Sequence, residues 1–286
     1  FKQKTAYEIM PSLVGSEMCI RDRLLLAFVT SCGENISPVD SGLEQQIFHF
    51  GNGAEPQGLD PHIVTGVPEH HLLIALCEGL TSSNPKGGAP LPVMAESWTL
   101  TEDGTVYTFN INQNAKWSNG DQVIADDFVW SWKRVLTPSL GSQYTDMLYY
   151  VKNAKQFYNG EIKDFSMVGV KAIDTYTLEV TLENPTPFFL GLLSHYSTWP
   201  VHKDTVLKHG EIDDRNGQWT RPGNFVCNGP FQLKSWELNN KIVVEKNPFY
   251  WDSEIVKLNE MHFYPISNSM TEDRMFRAGQ LHYTST

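Results

Sequence analysis

The chain has 286 residues, 41% of them hydrophobic and 19% charged, the proportions of a folded globular protein and not of a disordered or collagenous one. That length suffices to bury a sizeable core, divided between two lobes. A net charge of −11, with no cluster of Lys and Arg anywhere along the chain, excludes a nucleic-acid partner and disfavours adhesion to anionic lipid; acidity of this size also serves solubility alone.

Residues 1–23 carry Glu8, Glu17 and Asp22 and place no basic segment directly before an apolar run. The stretch 11–23 resembles adapter-derived sequence at the ends of unrelated conceptual translations, and residues 1–23 are set aside as non-native. Removing the four basic and three acidic residues of 1–23 leaves the charge at −12, so the exclusion is unaffected. Residues 24–32 form a short apolar run ending in Val29-Thr30-Ser31-Cys32. This resembles a bacterial lipoprotein signal in which cleavage falls before Cys32 and the thiol takes a lipid anchor; an ordinary secretory signal cut elsewhere is the alternative. Residues 33–42 read as a linker.

Residues 46–51 alternate apolar and polar and predict a strand running into the loop Asn52-Gly53-Ala54-Glu55-Pro56. A buried helix is expected over 70–78, capped by Gly79, followed by a Ser-, Pro- and Gly-rich loop over 81–92. Tyr107, Phe109 and Ile111 share one face of a half-buried strand. From 125 to 136, Phe128, Val129, Trp132, Val135 and Leu136 recur at helical spacing, with Asp126 and Asp127 complementing the helix dipole in the first turn. Two hairpins follow, 168–182 about Asp174-Thr175 and 231–246 about Asn239-Asn240. Near the end, Arg277-Ala278-Gly279 reads as a helix terminating at glycine before a new strand that stops short, as in a truncated chain. Strand pairs alternating with helices make this a mixed α/β protein.

The chemistry motifs are missing: there is no GxSxG, HExxH, P-loop or GxGxxG, so neither an enzyme nor a cofactor is expected. The pairs Asp126-Asp127 and Asp213-Asp214 read as solvated charge. His70 and His71 point in different directions on one helix and Pro200 interrupts the series His195, His202, His209, so no metal site is expected. Four cysteines form no CxxC pair and predict no disulfide framework; Cys77 reads as a small buried hydrophobe, and Cys227 is left open. Eight Trp and eleven Tyr suit rigid walls around an organic ligand, although most Trp belong to core. Trp130 and Trp132 cannot both face the same way.

Several stretches together resemble the family-5 extracytoplasmic solute-binding proteins, in particular their oligopeptide-binding branch. They are Leu59-Asp60-Pro61-His62, Gly66-Val67-Pro68-Glu69, Cys77-Glu78-Gly79-Leu80 (commonly Phe-Glu-Gly-Leu), Ala95-Glu96-Ser97-Trp98, and above all Ala115-Lys116-Trp117-Ser118-Asn119-Gly120-Asp121 leading to Asp127-Phe128-Val129-Trp130-Ser131-Trp132-Lys133-Arg134. Asn228-Gly229-Pro230-Phe231 and Asn247-Pro248-Phe249-Tyr250-Trp251 add to the match. Ile124 departs from a usual capping Thr or Ser, and Cys227 and Pro230 from usual Ser or Thr and Ala.

The resemblance implies a two-lobed periplasmic-binding-protein-like α/β fold. The first lobe, 43–80 plus 203–286, is incomplete, 81–202 form a smaller inserted lobe, and the second main lobe falls beyond residue 286. It further implies capture of an extended peptide outside the cytoplasmic membrane, by lobe closure, for delivery to an ABC importer permease. Thr65, Gly66 and Val67 match the segment that runs beside the ligand backbone, and Tyr144 matches an aromatic residue lining the cleft. Thr65 stands where some relatives have an acid. The acidic partner of the ligand's amino terminus belongs to the absent lobe. Two alternatives stay open: a non-peptide ligand such as a nickel chelate, haem or a sugar on the same fold, and a secreted hydrolase.

Overall fold

The computed structural model describes residues 36–285, so the expected non-native tract 1–23, the signal-like run 24–32 and the lipobox Cys32 lie outside the described residues. In chain order, α1 (Pro38–Gln45) precedes β1 (Ile47–Gly51) and α2 (Val67–Leu76). A small hairpin of β2 (Thr81–Ser82) and β3 (Leu91–Pro92) then leads to β4 (Ala95–Leu100), β5 (Val106–Ile111) and α3 (Ala125–Val135). Next come α4 (Ala154–Tyr158), β6 (Val170–Ala172), β7 (Thr177–Thr181), α5 (Phe189–Leu192) and α6 (Lys203–His209), and finally β8 (Phe231–Glu237), β9 (Lys241–Lys246), β10 (Glu260–Tyr264) and α7 (Ser269–Arg277).

The strands make two four-stranded sheets, β1-β10-β9-β8 and β4-β5-β7-β6. Both predicted hairpins are present, β6 with β7 in the register Val170↔Val180 to Ala172↔Leu178 and β8 with β9 about Asn239, whose φ of 56° is the left-handed turn conformation. Period two is visible in β5, where Tyr107, Phe109 and Ile111 are buried. The edge strand β1 pairs in parallel with β10, Ile47↔Glu260 through Gly51↔Tyr264. Its other side is met by residues 282 and 283: His282 N–H donates to His49 O at 2.8 Å and Gly51 N–H to Tyr283 O at 2.9 Å.

Each sheet has its own apolar core, and α3 serves both. The Asp127 carboxylate accepts from the Ile124 N–H at 2.9 Å and from Trp117 Nε1 at 3.1 Å, so an acid in the first turn caps the helix that Ile124 cannot cap itself. Asp127 is therefore not the solvated charge expected of it: burial pushes its carboxyl up to about 6. Phe128, Trp132 and Val135 pack into the core of β4-β5-β7-β6, whereas Trp130 packs against that of β1-β10-β9-β8. The two tryptophans thus divide between the cores, Trp132 fully buried and Trp130 partly so. The second core also takes in Tyr196, Trp199 and Val201, which lie before the expected lobe boundary at 202.

Three expectations need correction. The region 33–42 is not all linker, because α1 begins at Pro38 and is tied down by Val39 N–H donating to Gly279 O at 3.0 Å. Residues 81–92 are not a bare loop but close as the β2–β3 hairpin, Thr81 opposite Pro92. The helix expected over 70–78 begins instead at Val67, with Pro68 in the first turn where its missing N–H costs nothing, and ends at Leu76, Cys77 being extended. Gly79 is not its cap. A Cβ there would lie 2.2 Å from Trp199 Cδ1 and 2.8 Å from Leu193 O, so the glycine is required by close packing of the neck between the cores. At that neck, Glu78 exchanges hydrogen bonds with Asn228, N–H to Oδ1 at 3.0 Å and Nδ2 to carbonyl at 3.0 Å. Its carboxylate accepts from Tyr250 OH at 2.8 Å and Trp251 Nε1 at 3.3 Å, and burial pushes it up to about 7.

Candidate ligand-binding wall

Thr65, Gly66 and Val67 form the exposed approach to α2. Gly66 is extended (φ −87°, ψ 158°), and Val67, at the first helical position, is 65% exposed although apolar. The N–H groups of Thr65 and Gly66 have no acceptor among the described residues, and the N–H of Val67 is an orphan of the first turn. An extended backbone presenting unpaired donors is what another extended chain can pair with. Gly66 has a local reason too: a Cβ there would fall 2.0 Å from Glu69 Oε2, whose partner oxygen Oε1 accepts from the Gln57 N–H at 2.6 Å.

Tyr144 comes from far along the chain to the same place. Its hydroxyl reaches Thr65 O at 3.5 Å, and its ring stands edge-on to His195 at 4.8 Å and to Tyr196 at 6.1 Å. Tyr196 OH donates to Val64 O at 3.2 Å and its ring meets His70 at 5.6 Å. The four residues expected at the site therefore sit together, with His70, His195 and Tyr196 completing an aromatic wall that the sequence did not single out. Burial, aided by His70, pushes His195 down to about 4, so its ring is uncharged at neutral pH. His71 points the other way and bonds Asn52 Oδ1 at 3.1 Å.

Behind Thr65 the segment is anchored by a buried charge cluster. Arg134, on α3 and 0% exposed, makes a bidentate pair with Asp60 (2.9 and 2.6 Å), meets His62 Nδ1 at 3.0 Å and lies 5.6 Å over the Trp219 ring. Burial acts to raise the Asp60 carboxyl, and the facing Arg134 guanidinium outweighs it and holds the group below its ordinary value. Burial and the same guanidinium push His62 down to about 4. His62 Nε2 also meets Trp199 O at 2.9 Å. A cavity of about 360 Å³ opens beside this anchor, lined by Thr65, Gln143, Arg215, Gln218, Arg221 and Trp236 among others. These groups are polar hydrogen-bonding side chains with one aromatic face, a lining that suits a polar ligand portion. Among the described residues no cluster of His, Cys, Asp and Glu is placed to hold a metal.

Comparison with known proteins gives the family of the chain. The family described as bacterial extracellular solute-binding proteins, family 5 Middle, matches residues 89–286. The periplasmic oligopeptide-binding protein OppA of Salmonella typhimurium is 39% identical over 266 residues, 91% of this chain and 47% of that protein. The probable deoxycholate-binding periplasmic protein YgiS of Escherichia coli is 34% identical over 242 residues, 84% of this chain and 44% of that protein. The crystal structure of Haemophilus influenzae OppA in complex with the peptide RPPGFSPFR superposes with a TM-score of 0.79 at 38% identity, covering 85% of this chain and 46% of that one. The chain thus spans about half the length of the relatives it matches. With its α/β fold shared by these structures and its family matched over most of its length, the chain belongs to the bacterial extracellular solute-binding proteins of family 5.

Proposed function

We propose that this chain belongs to the substrate-binding component of an ABC importer, which captures oligopeptides outside the cytoplasmic membrane and passes them to the permease. Residues 43–80 with 203–286 act as one lobe and 81–202 as a smaller inserted one. The ligand backbone runs along Thr65-Gly66-Val67 and packs on Tyr144, and Cys32 carries a lipid that holds the mature protein at the membrane. The observation that carries this reading is the extended, donor-presenting segment at Thr65 and Gly66 faced by the Tyr144 hydroxyl, supported by relatives named for oligopeptide binding. Backbone pairing is tolerant of sequence, and aromatic walls supply apolar area at little entropic cost.

Calorimetry with tri- to pentapeptides on the full-length protein tests it. Tyr144→Ala weakens binding about tenfold or more with the fold intact, the loss of about 1.4 kcal/mol of contact; wild-type affinity in that variant removes Tyr144 from the site. A second reading, a non-peptide ligand, is favoured by one relative's name as deoxycholate-binding. Native mass spectrometry of whatever ligand survives purification separates the two. For the anchor, Cys32→Ser moves the protein from the membrane to the soluble fraction, and unchanged membrane association refutes it.

A further inference from the structure

The neck between the two cores consists of two stretches lying side by side, one at the end of α2 and one ahead of β8. Gly229 N–H donates to Leu76 O at 2.9 Å, and a Cβ on Gly229 would come within 2.7 Å of the Cys77 nitrogen. With the reciprocal Glu78–Asn228 bonds, this contact sets Cys77 and Cys227 against one another. Both are free, they belong to the same core, and they are 3% and 1% exposed. Cys227 Sγ also faces Phe231 O at 3.8 Å. We propose that Cys77 and Cys227 are a disulfide-forming pair that closes the neck when the chain folds in an oxidising compartment.

Burial, first of all, and the neighbouring Cys227 hold the Cys77 thiol well above its ordinary value. Thiols so placed are protonated and shielded, hence inert toward exchange once packed. The reaction therefore belongs to the folding chain. One protein thiolate attacks a donor disulfide, of low molecular weight or on an oxidoreductase, and expels one donor thiolate. The second protein thiolate then displaces the other donor sulfur. Two protein thiols are oxidised by two electrons, the donor is reduced to two thiols, and the two protons end on the donor.

The bond closes a loop of about 150 residues that contains the whole β4-β5-β7-β6 sheet, the kind of long loop whose constraint most reduces the freedom of the unfolded chain. Extracytoplasmic placement, which rests on the proposed function, matters only to where the oxidant is met. The thiol readout below needs no ligand, so it stands or falls separately from peptide binding.

The test unfolds and reduces the full-length protein, then refolds it in a mixture of reduced and oxidised glutathione or in dithiothreitol. Free thiols are alkylated, the protein is digested, and the Cys77 and Cys227 peptides are weighed. The expected result is a Cys77–Cys227 linked peptide in the glutathione sample and a Tm about 10 °C above that of the reduced sample, with no redox-dependent Tm difference in Cys77→Ala. Full alkylation of both cysteines after oxidative refolding overturns the proposal. So does linkage of either to Cys19, Cys32 or glutathione alone, or a bridged form that melts below the reduced one.

Discussion

Arg134→Met probes the anchor behind the proposed ligand-binding segment. The guanidinium is wholly buried and supplies both oxygens of Asp60 with a donor, at 2.9 and 2.6 Å. Without it the carboxylate keeps, among the described contacts, only the His62 N–H at 3.0 Å, at a residue only 8% exposed. Methionine replaces much of the aliphatic stem and so isolates the loss of charge from the loss of packing. Breaking a buried pair by removing one partner costs about 3–5 kcal/mol, because the remaining charge is uncompensated. Urea unfolding should show a loss of that size. A double variant, Asp60→Leu with Arg134→Met, should recover most of it, since replacing both charges by apolar groups is close to neutral. A loss below about 1 kcal/mol in the single variant, the value of a solvated surface pair, refutes the account of Arg134 as the buried anchor.

Two further predictions concern pH. His62 is held near 4 in the folded state against an ordinary 6.5, so the unfolded chain takes up its proton first as the solution is acidified. Its contribution is complete above pH 6.5 and is lost as pH falls toward 4, by about 3 kcal/mol. Urea midpoints between pH 7 and 4.5 should fall less steeply in His62→Asn, and equal slopes would sink the assignment. Glu78 has the opposite sign: raised to about 7 from an ordinary 4.5, it binds a proton on folding, and that stability is present at low pH and lost as pH rises through 7. Glu78→Gln should therefore be stabilised relative to wild type at pH 8 compared with pH 5, by about 3 kcal/mol; a difference independent of pH speaks against a buried, protonated Glu78.

The sheets were legible in the sequence because alternation survives wherever one face is buried, as in Tyr107, Phe109 and Ile111. The start of α2 was not, because Val67 to Leu76 is apolar on several sides and offers no stripe to locate its first turn. Gly79 was misread for a different reason: its demand comes from Trp199, a contact that no local pattern announces. The Arg134–Asp60 pair was equally hidden, since its members lie far apart in sequence and each resembles a surface charge. Thr65, Gly66, Val67 and Tyr144 were picked out as candidates only through family resemblance. Nothing in their own spacing says that Tyr144 reaches the Thr65 carbonyl, and the neighbouring His70, His195 and Tyr196 carry no motif at all.

The parallel pairing of β1 with β10 constrains the order of events during synthesis. Strand β1 is among the first parts of the described chain to be made, yet its partners are Glu260 to Tyr264 on one side and His282 and Tyr283 on the other. Until those late residues exist, Ile47, Phe48 and Phe50 have no sheet to join. Loop closure over more than two hundred residues must precede that reward. The sheet carrying β1 therefore completes only after residues 260–283 have been made, whereas β4, β5, β6 and β7 can pair from a contiguous stretch made earlier. With β1 left unpaired in this way, its sheet stays incomplete until residues 260–283 are made, the condition in which a polypeptide can still be threaded across a membrane.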